Sequence, residues 1–196
     1  KLFVGESPDS IFEAKTVVLA SGTRNKKLGI PGENELTGKG VHTCALCDAP
    51  FYKGKIVAVI GGSDYAAKEA LLLAQHSKKV YIIARGDKIR PEPINGERVA
   101  KNKKIEVILN TNVTKIVGEK KLDHVILDKA YNGKKEFKVD GIFVEIGHTP
   151  LSDLAKNLGV KLNDKGEVMV NRNSETNIPG FFAAGDVVDT EFKQAI

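Results

Sequence analysis

This chain contains several uninterrupted apolar runs, and an amphipathic segment lies between two of them. Residues 17–20 and 56–60 read Val-Val-Leu-Ala and Ile-Val-Ala-Val-Ile, a pattern typical of strands buried on both faces of a parallel sheet. From 64 to 76 the apolar side chains recur at helical spacing with polar residues between them, which predicts a helix with one buried face. Residues 80–84 form the next apolar run. We expect these elements to form a βαβ unit with a right-handed crossover.

The segments after this unit predict a second helix, a third strand and a small antiparallel meander. We expect the helix to end within residues 99–104 and the strand to cover 105–109. The meander strands are expected at three short stretches, residues 113–117, 122–127 and 136–139. Asn132-Gly133 is a strong hairpin turn between the last two of these strands. Further strands are expected at residues 142–146, 166–170 and 181–184.

The two ends of the chain differ from its middle. Residues 1–40 and 145–196 contain strand patterns but almost no helices to cover them, so we interpret them as two pieces of one further domain. The expected fold class is therefore α/β. It comprises a three-layer Rossmann-like nucleotide-binding domain, with a parallel sheet and a β-meander, inserted into a partial second domain.

Composition narrows the class of protein. With 196 residues, 41% of them hydrophobic, the chain can bury a sizeable core. No apolar run approaches the roughly 20 residues that span a bilayer, and the first residues lack the apolar core of a signal peptide. The net charge of +5 comes with lysines scattered over turns and element ends, without interleaved aromatics. This pattern argues against a nucleic-acid surface.

The chain's only two cysteines stand in Cys44-Ala45-Leu46-Cys47, followed directly by Asp48. A lone Cys-x-x-Cys in a βαβ context is typical of a redox pair that opens and closes a small disulfide ring in a reducing cytosol. Exchange requires an activated thiolate, and the Asp48 carboxyl can deliver or remove the proton. Two alternatives stay open. Asp48 can be a capping or turn carboxylate, and the thiols can bind zinc with His42, although structural zinc needs four ligands.

A glycine-rich turn, Gly61-Gly62-Ser63-Asp64-Tyr65-Ala66, joins the second apolar run to the amphipathic helix. A dinucleotide site requires a tight turn, a small residue where the pyrophosphate approaches and a small residue where the helix meets the sheet. Gly61, Ser63 and Ala66 occupy these places. The N-terminus of the helix, at Asp64, would offer N–H groups and a positive dipole end to the phosphates. The alternative is a structural turn of a flavodoxin-like fold.

The segment after the next strand, Ala84-Arg85-Gly86-Asp87-Lys88-Ile89-Arg90, bears on the type of nicotinamide. NAD sites usually place an acidic side chain here to hold the ribose diol. Arg85, Lys88 and Arg90 suit the additional phosphate of NADP, whereas Asp87 would suit the diol. The alternative is an exposed basic loop. A dithiol beside a dinucleotide-binding turn predicts electron transfer from a nicotinamide to a disulfide.

A third motif lies near the end of the chain, where an apolar strand runs into Gly185-Asp186. This order places a carboxylate at a strand end, where it can accept a hydrogen bond from a sugar-like hydroxyl group. His148 is interpreted as a loop histidine rather than a catalytic group.

In combination these motifs resemble the low-molecular-weight flavoprotein thioredoxin reductases. Cys44-Ala45-Leu46-Cys47-Asp48 is similar to the family's Cys-Ala-Thr-Cys-Asp active site, and Gly61 to Ala70 is similar to its nucleotide turn and helix. Four further segments resemble the flavin-domain turn, the inter-domain hinge, the ribityl strand and the flavin-ring contact: Ser21-Gly22-Thr23, Glu145 to Pro150, Phe182 to Asp189 and Gln194-Ala195.

The resemblance implies an oxidoreductase that moves electrons from NAD(P)H through FAD to the Cys-x-x-Cys and on to a thioredoxin-like protein. In the roles it implies, Cys44 attacks the partner's disulfide, Cys47 faces the flavin and Asp48 acts as the acid. Asp186 would contact the ribityl chain of FAD. The other residues expected at the flavin site are Gly22, Gly185, Gln194 and Ala195, and Gly147 of the hinge segment is also expected to bind a cofactor.

The resemblance also implies a domain layout. Residues 1–38 and 141–196 would be parts of a FAD domain around an NAD(P)H-binding domain at 39–140. Hinges near residues 40 and 143 would let the nicotinamide and the dithiol take turns at the flavin. We expect a cytoplasmic protein, without nucleic acid or membrane as partner, that is a homodimer when full length.

Some family features are missing or changed. The family's first flavin segment, with its own Gly-x-Gly-x-x-Gly, has no counterpart here, so we expect a fragment. Ala84-Arg85-Gly86 stands where the family has His-Arg-Arg, which leaves NADPH and NADH both open, and Lys193 replaces an arginine. The alternative functions are a nucleotide-binding module without catalysis on its own and a ferredoxin–NADP reductase of similar fold, a type that lacks the dithiol.

Overall fold

A computed structural model describes residues 2–190 and residue 193. The strands of this part are β1 Phe3–Ser7, β2 Ser10–Ala14, β3 Val17–Leu19, β4 Thr23–Asn25, β5 Val41–His42, β6 Ile56–Ile60, β7 Lys79–Ile83, β8 Ile105–Ile108, β9 Val113–Gly118, β10 Leu122–Tyr131, β11 Lys134–Lys138, β12 Gly141–Val144, β13 His148–Pro150 and β14 Phe181–Ala183. The α-helices are α1 Glu33–Leu36, α2 Ala45–Asp48, α3 Asp64–His76, α4 Pro93–Lys101 and α5 Asp153–Asn157.

The chain divides into two compact units. The central unit comprises Asn25–Gly147, and the flanking unit combines Lys1–Arg24 with His148–Ile196. The central unit therefore lies in the sequence between the two segments of the flanking unit, as expected for an inserted domain. It is wider at both ends than the predicted range 39–140, and the functional assignment of the domains stays a prediction.

The central unit is built on a parallel sheet of five strands in the order β5-β12-β6-β7-β8. Strand β6 is buried on both faces, as its continuous apolar run predicts. Val57 and Val59 pack with the buried alanines of helix α3, while Ala58 and Ile60 pack with the meander of β9, β10 and β11. The unit thus has three layers, and the expected Rossmann-like α/β architecture is confirmed.

The predicted helix at 64–76 matches α3 residue for residue. The hairpin at Asn132-Gly133 joins β10 to β11, and both residues have the positive φ values, 51° and 80°, that a type I′ turn requires. Helix α4 ends at Lys101, within the predicted range 99–104, where the Asn102 side chain accepts a hydrogen bond from the Lys104 N–H and forms a turn.

The strand predicted at 166–170 is wrong. Val168 forms only isolated bridges to two other segments. The Asn163 side-chain oxygen accepts hydrogen bonds from the N–H groups of Lys165 and Glu167, at 2.9 and 3.0 Å. A side chain thus satisfies backbone donors locally, and a tight turn replaces the start of a strand.

The flanking unit contains short strand pairs around a small core. Strand β3 pairs in parallel with β14, β1 forms an antiparallel hairpin with β2, and β13 pairs with β4. The hairpin was not predicted from the sequence. No helix in the described part of the chain combines the length and apolar character that crossing a bilayer requires.

Candidate functional site

The two cysteines lie at the carboxyl end of a parallel strand. Strand β5 ends at His42, and Cys44 is the N-cap of the short helix α2. The Cys44 sulfur accepts a hydrogen bond from the Cys47 N–H at 3.2 Å, so the capping interaction itself brings the two residues together. The sulfurs are joined as a disulfide, with Cys44 half-buried and Cys47 exposed. This arrangement leaves the disulfide accessible for exchange.

Asp48 forms part of a hydrogen-bonded chain of three side chains. One carboxylate oxygen lies 3.0 Å from Nδ1 of His42, and Nε2 of His42 lies 2.7 Å from the hydroxyl group of Tyr52. From the sequence, Asp48 is expected to be an acid, and His42 is expected only as an alternative zinc ligand. No sequence motif pointed to Tyr52. No sequence spacing links these three positions, because strand β5, helix α2 and the following 3-10 turn bring them together.

Aromatic packing holds this chain of side chains in place. The His42 ring stacks on Phe143 of the neighbouring strand β12, with ring centroids 5.3 Å apart. The Tyr52 ring packs edge-on against both rings. Burial, with the nearby charges of Asp48 and Asp140, raises the pKa of Tyr52 to about 12. The phenol therefore keeps its proton at neutral pH.

Two carboxyl groups, Glu69 of α3 and Glu145 after β12, interact electrostatically with each other, and Glu69 also contacts helix α2. Glu69 accepts a hydrogen bond at 2.5 Å from the N–H of Ala45, the first residue of α2. Burial raises the pKa of Glu69, while this hydrogen bond lowers it in part. Glu145, which follows β12, is buried, and burial together with the Glu69 charge raises its pKa to about 7. Neither residue belongs to a motif that the sequence alone makes recognisable.

The glycine turn has the geometry that its sequence predicts. A Cβ atom at Gly61 would collide with the backbone carbonyl of Glu145 and would lie 3.3 Å from the Cβ of Ala66. Ser63 is the N-cap of α3 and accepts a hydrogen bond from the Ala66 N–H at 3.5 Å. Ala66 is fully buried where helix meets sheet. A tight turn and close helix–sheet packing are features of dinucleotide sites, and cofactor binding by Gly61, Gly62, Ser63 and Ala66 stays a prediction.

The basic loop after β7 is attached to the glycine turn. The Arg90 N–H donates a hydrogen bond to the Gly62 carbonyl at 2.7 Å. The Asp64 carboxylate accepts hydrogen bonds from the Glu92 N–H and the Asn95 side chain at 2.8 and 2.9 Å. Arg85, Lys88 and Arg90 are exposed on this loop. The structure therefore places the predicted basic residues beside the glycine turn.

Asp64 has a structural partner as well. Its carboxylate pairs with Lys68 at 2.7 Å. Burial opposes ionisation, but the hydrogen bonds from Lys68, Asn95 and Glu92 prevail and lower the pKa of Asp64. Its carboxyl oxygens therefore serve to anchor the basic loop, and a direct contact between Asp64 and a cofactor stays a prediction.

Three of the residues expected at the flavin site follow the paired parallel strands β3 and β14 at their carboxyl ends. Gly22 follows β3, Gly185 and Asp186 follow β14, and the Ala184 N–H donates to the Leu19 carbonyl at 3.0 Å. Both glycines have left-handed φ values, 67° and 78°. Gly147 belongs to the central unit, and Gln194 and Ala195 lie outside the described residues. Lys193 forms an ion pair with Glu167 at 3.0 Å.

The zinc alternative has little geometric support. Within residues 2–190 and residue 193, no group of three or more histidine, cysteine or acidic side chains is placed to hold a metal ion. The two sulfurs are bonded to each other, and His42 has Asp48 and Tyr52 as neighbours.

Comparison with known proteins places this geometry in context. A family model described as "Pyridine nucleotide-disulphide oxidoreductase" matches residues 3–196. The thioredoxin reductase of Bacillus subtilis (strain 168) is 40% identical over 187 residues, which are 94% of this chain and 59% of the relative. That of Mycolicibacterium smegmatis is 42% identical over 190 residues, covering 96% and 61%. The chain thus spans about three fifths of the length of these relatives.

Solved structures agree with the sequence comparison. A crystal structure of Lactococcus lactis thioredoxin reductase superposes with a TM-score of 0.85 at 35% identity, covering 98% of this chain and 64% of that one. The thioredoxin reductase of T. acidophilum gives 0.83 at 36% identity, with 97% and 63% covered. The resemblance drawn from the motifs is confirmed.

Proposed function

We propose that this chain, which belongs to the pyridine nucleotide-disulphide oxidoreductase family, is part of a flavin-dependent thioredoxin-disulfide reductase. Electrons would pass from NAD(P)H via FAD to the Cys44–Cys47 disulfide and on to a thioredoxin-like protein. The observation that carries the proposal is an accessible disulfide at a strand end, in the same compact unit as the glycine turn of α3.

The proposed reaction balances without any further oxidant or reductant. One NAD(P)H and one proton reduce the Cys44–Cys47 disulfide to two thiols and leave NAD(P)⁺. The dithiol then exchanges with the partner's disulfide, which becomes a dithiol as the Cys44–Cys47 bond forms again. FAD, when bound, supplies the two-electron carrier between nicotinamide and disulfide. In this proposal Cys44 attacks the partner, Cys47 faces the flavin and Asp48 carries the exchanged proton.

The nicotinamide part of the proposal rests on the loop attached to the glycine turn. The N-terminus of α3, a helix of 13 residues, would receive the pyrophosphate. Arg85, Lys88 and Arg90 fit an additional phosphate, because they are exposed on a loop anchored to Gly62 and Asp64. This fit favours NADPH, although Asp87 on the same loop suits the ribose diol of NADH.

The flavin part rests on the flanking unit. Gly22 and Gly185 follow the carboxyl ends of the parallel strands β3 and β14. Ligands bind at the carboxyl ends of the strands in open α/β sheets. Asp186, beside Gly185, would accept a hydrogen bond from the ribityl chain. The pair of strands fits one part of a flavin site, with Gln194 and Ala195 as further proposed contacts. Gly147 is proposed as a cofactor-binding residue of the central unit. We propose that the full-length protein is a homodimer and works in the cytoplasm.

The test is reduction of a disulfide by the full-length protein with FAD. We expect NADPH or NADH to drive reduction of an oxidised thioredoxin, and Cys44→Ser to abolish it. Thr43→Ser is a matched control, since this exposed residue precedes the dithiol without contributing a sulfur. Retained activity in Cys44→Ser, or no reduction with either nicotinamide, would contradict the proposal.

The second candidate function, a nucleotide-binding module without catalysis, predicts a different result. Such a protein would bind NADPH or NADH in a titration, but it would show no flavin absorbance and no disulfide reduction. The ordered anchoring of the basic loop to the glycine turn favours nucleotide binding in either case.

A further inference from the structure

His42 occupies a position between Asp48 and the protein interior. Its side chain is only 11% exposed, and its ring is stacked on Phe143. Both ring nitrogens have a polar neighbour at hydrogen-bonding distance, the Asp48 carboxylate at 3.0 Å and the Tyr52 hydroxyl at 2.7 Å. A histidine used only for packing would not require two such partners. The arrangement resembles the way in which a third group orients an acid or base in catalytic sites.

The direction of these hydrogen bonds follows from their donors. A carboxylate can only accept, so Nδ1 must carry the hydrogen that it shares with Asp48. Tyr52, whose pKa is raised to about 12, has a hydroxyl hydrogen available for Nε2. A neutral imidazole with the hydrogen on Nδ1 therefore satisfies all three side chains at once. The Asp48 oxygen that is not bonded to His42 is then left for other chemistry.

We propose that His42 is a positioning residue for dithiol exchange, fixed by Tyr52 and holding the Asp48 carboxylate so that one oxygen accepts and returns the thiol proton. The proposal rests on the proposed function of the dithiol. It concerns the proton, whereas the electrons move only between sulfur atoms.

Each step of the exchange balances. The Cys44 S–H bond breaks, its proton passes to Asp48, and the sulfur forms a bond to one partner sulfur as the partner's disulfide breaks. Asp48 returns the proton to the leaving partner thiolate. Cys47 then loses its proton to Asp48 and attacks the Cys44 sulfur, and Asp48 protonates the second partner thiolate. Asp48 ends each cycle as a carboxylate, hydrogen-bonded to His42.

Two substitutions separate this role from packing. His42→Asn keeps an N–H donor near the position of Nδ1, whereas His42→Gln places its amide near the position of Nε2 and loses the donor to Asp48. We expect the glutamine variant to exchange about tenfold more slowly and the asparagine variant to stay within about threefold of the unchanged protein. Tyr52→Phe keeps the ring packing but removes the hydroxyl, and we expect an intermediate loss.

The experiment measures exchange directly in the full-length protein. The dithiol is reduced with dithiothreitol, freed of reductant and mixed with oxidised thioredoxin in a stopped-flow instrument, so neither nicotinamide nor flavin reduction enters the rate. Nitrogen-15 NMR of the unchanged protein reads the tautomer of His42, with the hydrogen expected on Nδ1.

The outcomes distinguish this proposal from the proposed function. Equal rates for the two His42 variants, or a hydrogen on Nε2 instead of Nδ1, overturn the positioning role. Normal exchange by the dithiol without any nicotinamide-driven reduction would contradict the proposed function and leave the role of His42 supported.

Discussion

Replacing Glu145 by glutamine tests how strongly the protein environment opposes a carboxylate at the end of strand β12. Glu145 is 7% exposed. Burial, and secondly the charge of Glu69, raise its pKa from the ordinary 4.5 to about 7. The folded state therefore binds this proton more tightly than the unfolded state does. By linkage, this group lowers the free energy of unfolding as pH rises from 4.5 towards 7.

The difference between the folded-state and unfolded-state pKa values of Glu145 determines how much stability is lost. It corresponds to about 3 kcal/mol, all of which is lost once the pH lies above the folded-state value. Glutamine has the same shape and does not ionise. We therefore expect Glu145→Gln to be more stable than the unchanged chain by up to about 3 kcal/mol near pH 8, and nearly equal in stability near pH 4.5.

Urea unfolding at these two pH values measures the effect. The chain has four tyrosines and no tryptophan. All four tyrosines lie in the central unit, at positions 52, 65, 81 and 131. Tyrosine fluorescence of this chain therefore follows the unfolding of the unit that contains Glu145.

Two further variants make the test specific. Glu119→Gln removes an exposed carboxylate of the same unit, and we expect no comparable pH-dependent gain. Glu69→Gln removes the Glu69 charge, which is the second cause of the raised pKa of Glu145. The pKa of Glu145 should therefore decrease, and the pH range over which stability is lost should become narrower. The reasoning is refuted if Glu145→Gln gives the same stability difference at both pH values, or none at the higher one.

Two more predictions concern the central unit. Gly141→Ala should lower the free energy of unfolding by about 1–3 kcal/mol, because its Cβ would overlap the ring of Tyr52, and urea unfolding measures this cost. Replacing Arg85 and Lys88 together by alanine should raise the KM for NADPH about tenfold or more in the full-length protein, while the KM for NADH changes little, because only NADPH carries the additional phosphate.

Each of these predictions has its own control. Gly86→Ala, in the same unit, introduces a Cβ whose nearest atom, the Lys88 carbonyl oxygen, lies at an ordinary contact distance of 3.5 Å, so stability should stay unchanged. A stable Gly141→Ala variant would mean that Tyr52 can move without cost. Lys103→Ala, an exposed charge on the same unit, should not alter either KM. Equal changes in the KM values for NADPH and NADH in the double variant would show that the basic loop does not bind the additional phosphate of NADPH.

Local sequence patterns were sufficient to predict those elements whose conformation is fixed by their own side chains. The apolar run of β6, the helical spacing of α3 and the Asn132-Gly133 turn each fix a backbone conformation through their own side chains. The strand expected at 166–170 failed for a related reason, since the side chain of Asn163 competes for the backbone hydrogen bonds and a periodicity pattern does not register that competition.

The sequence by itself determined a parallel α/β unit, a cysteine pair with the spacing of a disulfide and a turn suited to a dinucleotide. Only the tertiary structure decided which groups surround the cysteines. Because β12 lies between β5 and β6, Phe143 is brought beside His42, about a hundred positions earlier in the chain. Strand order depends on how whole layers pack, and hydrophobic periodicity along one strand carries no information about its neighbours.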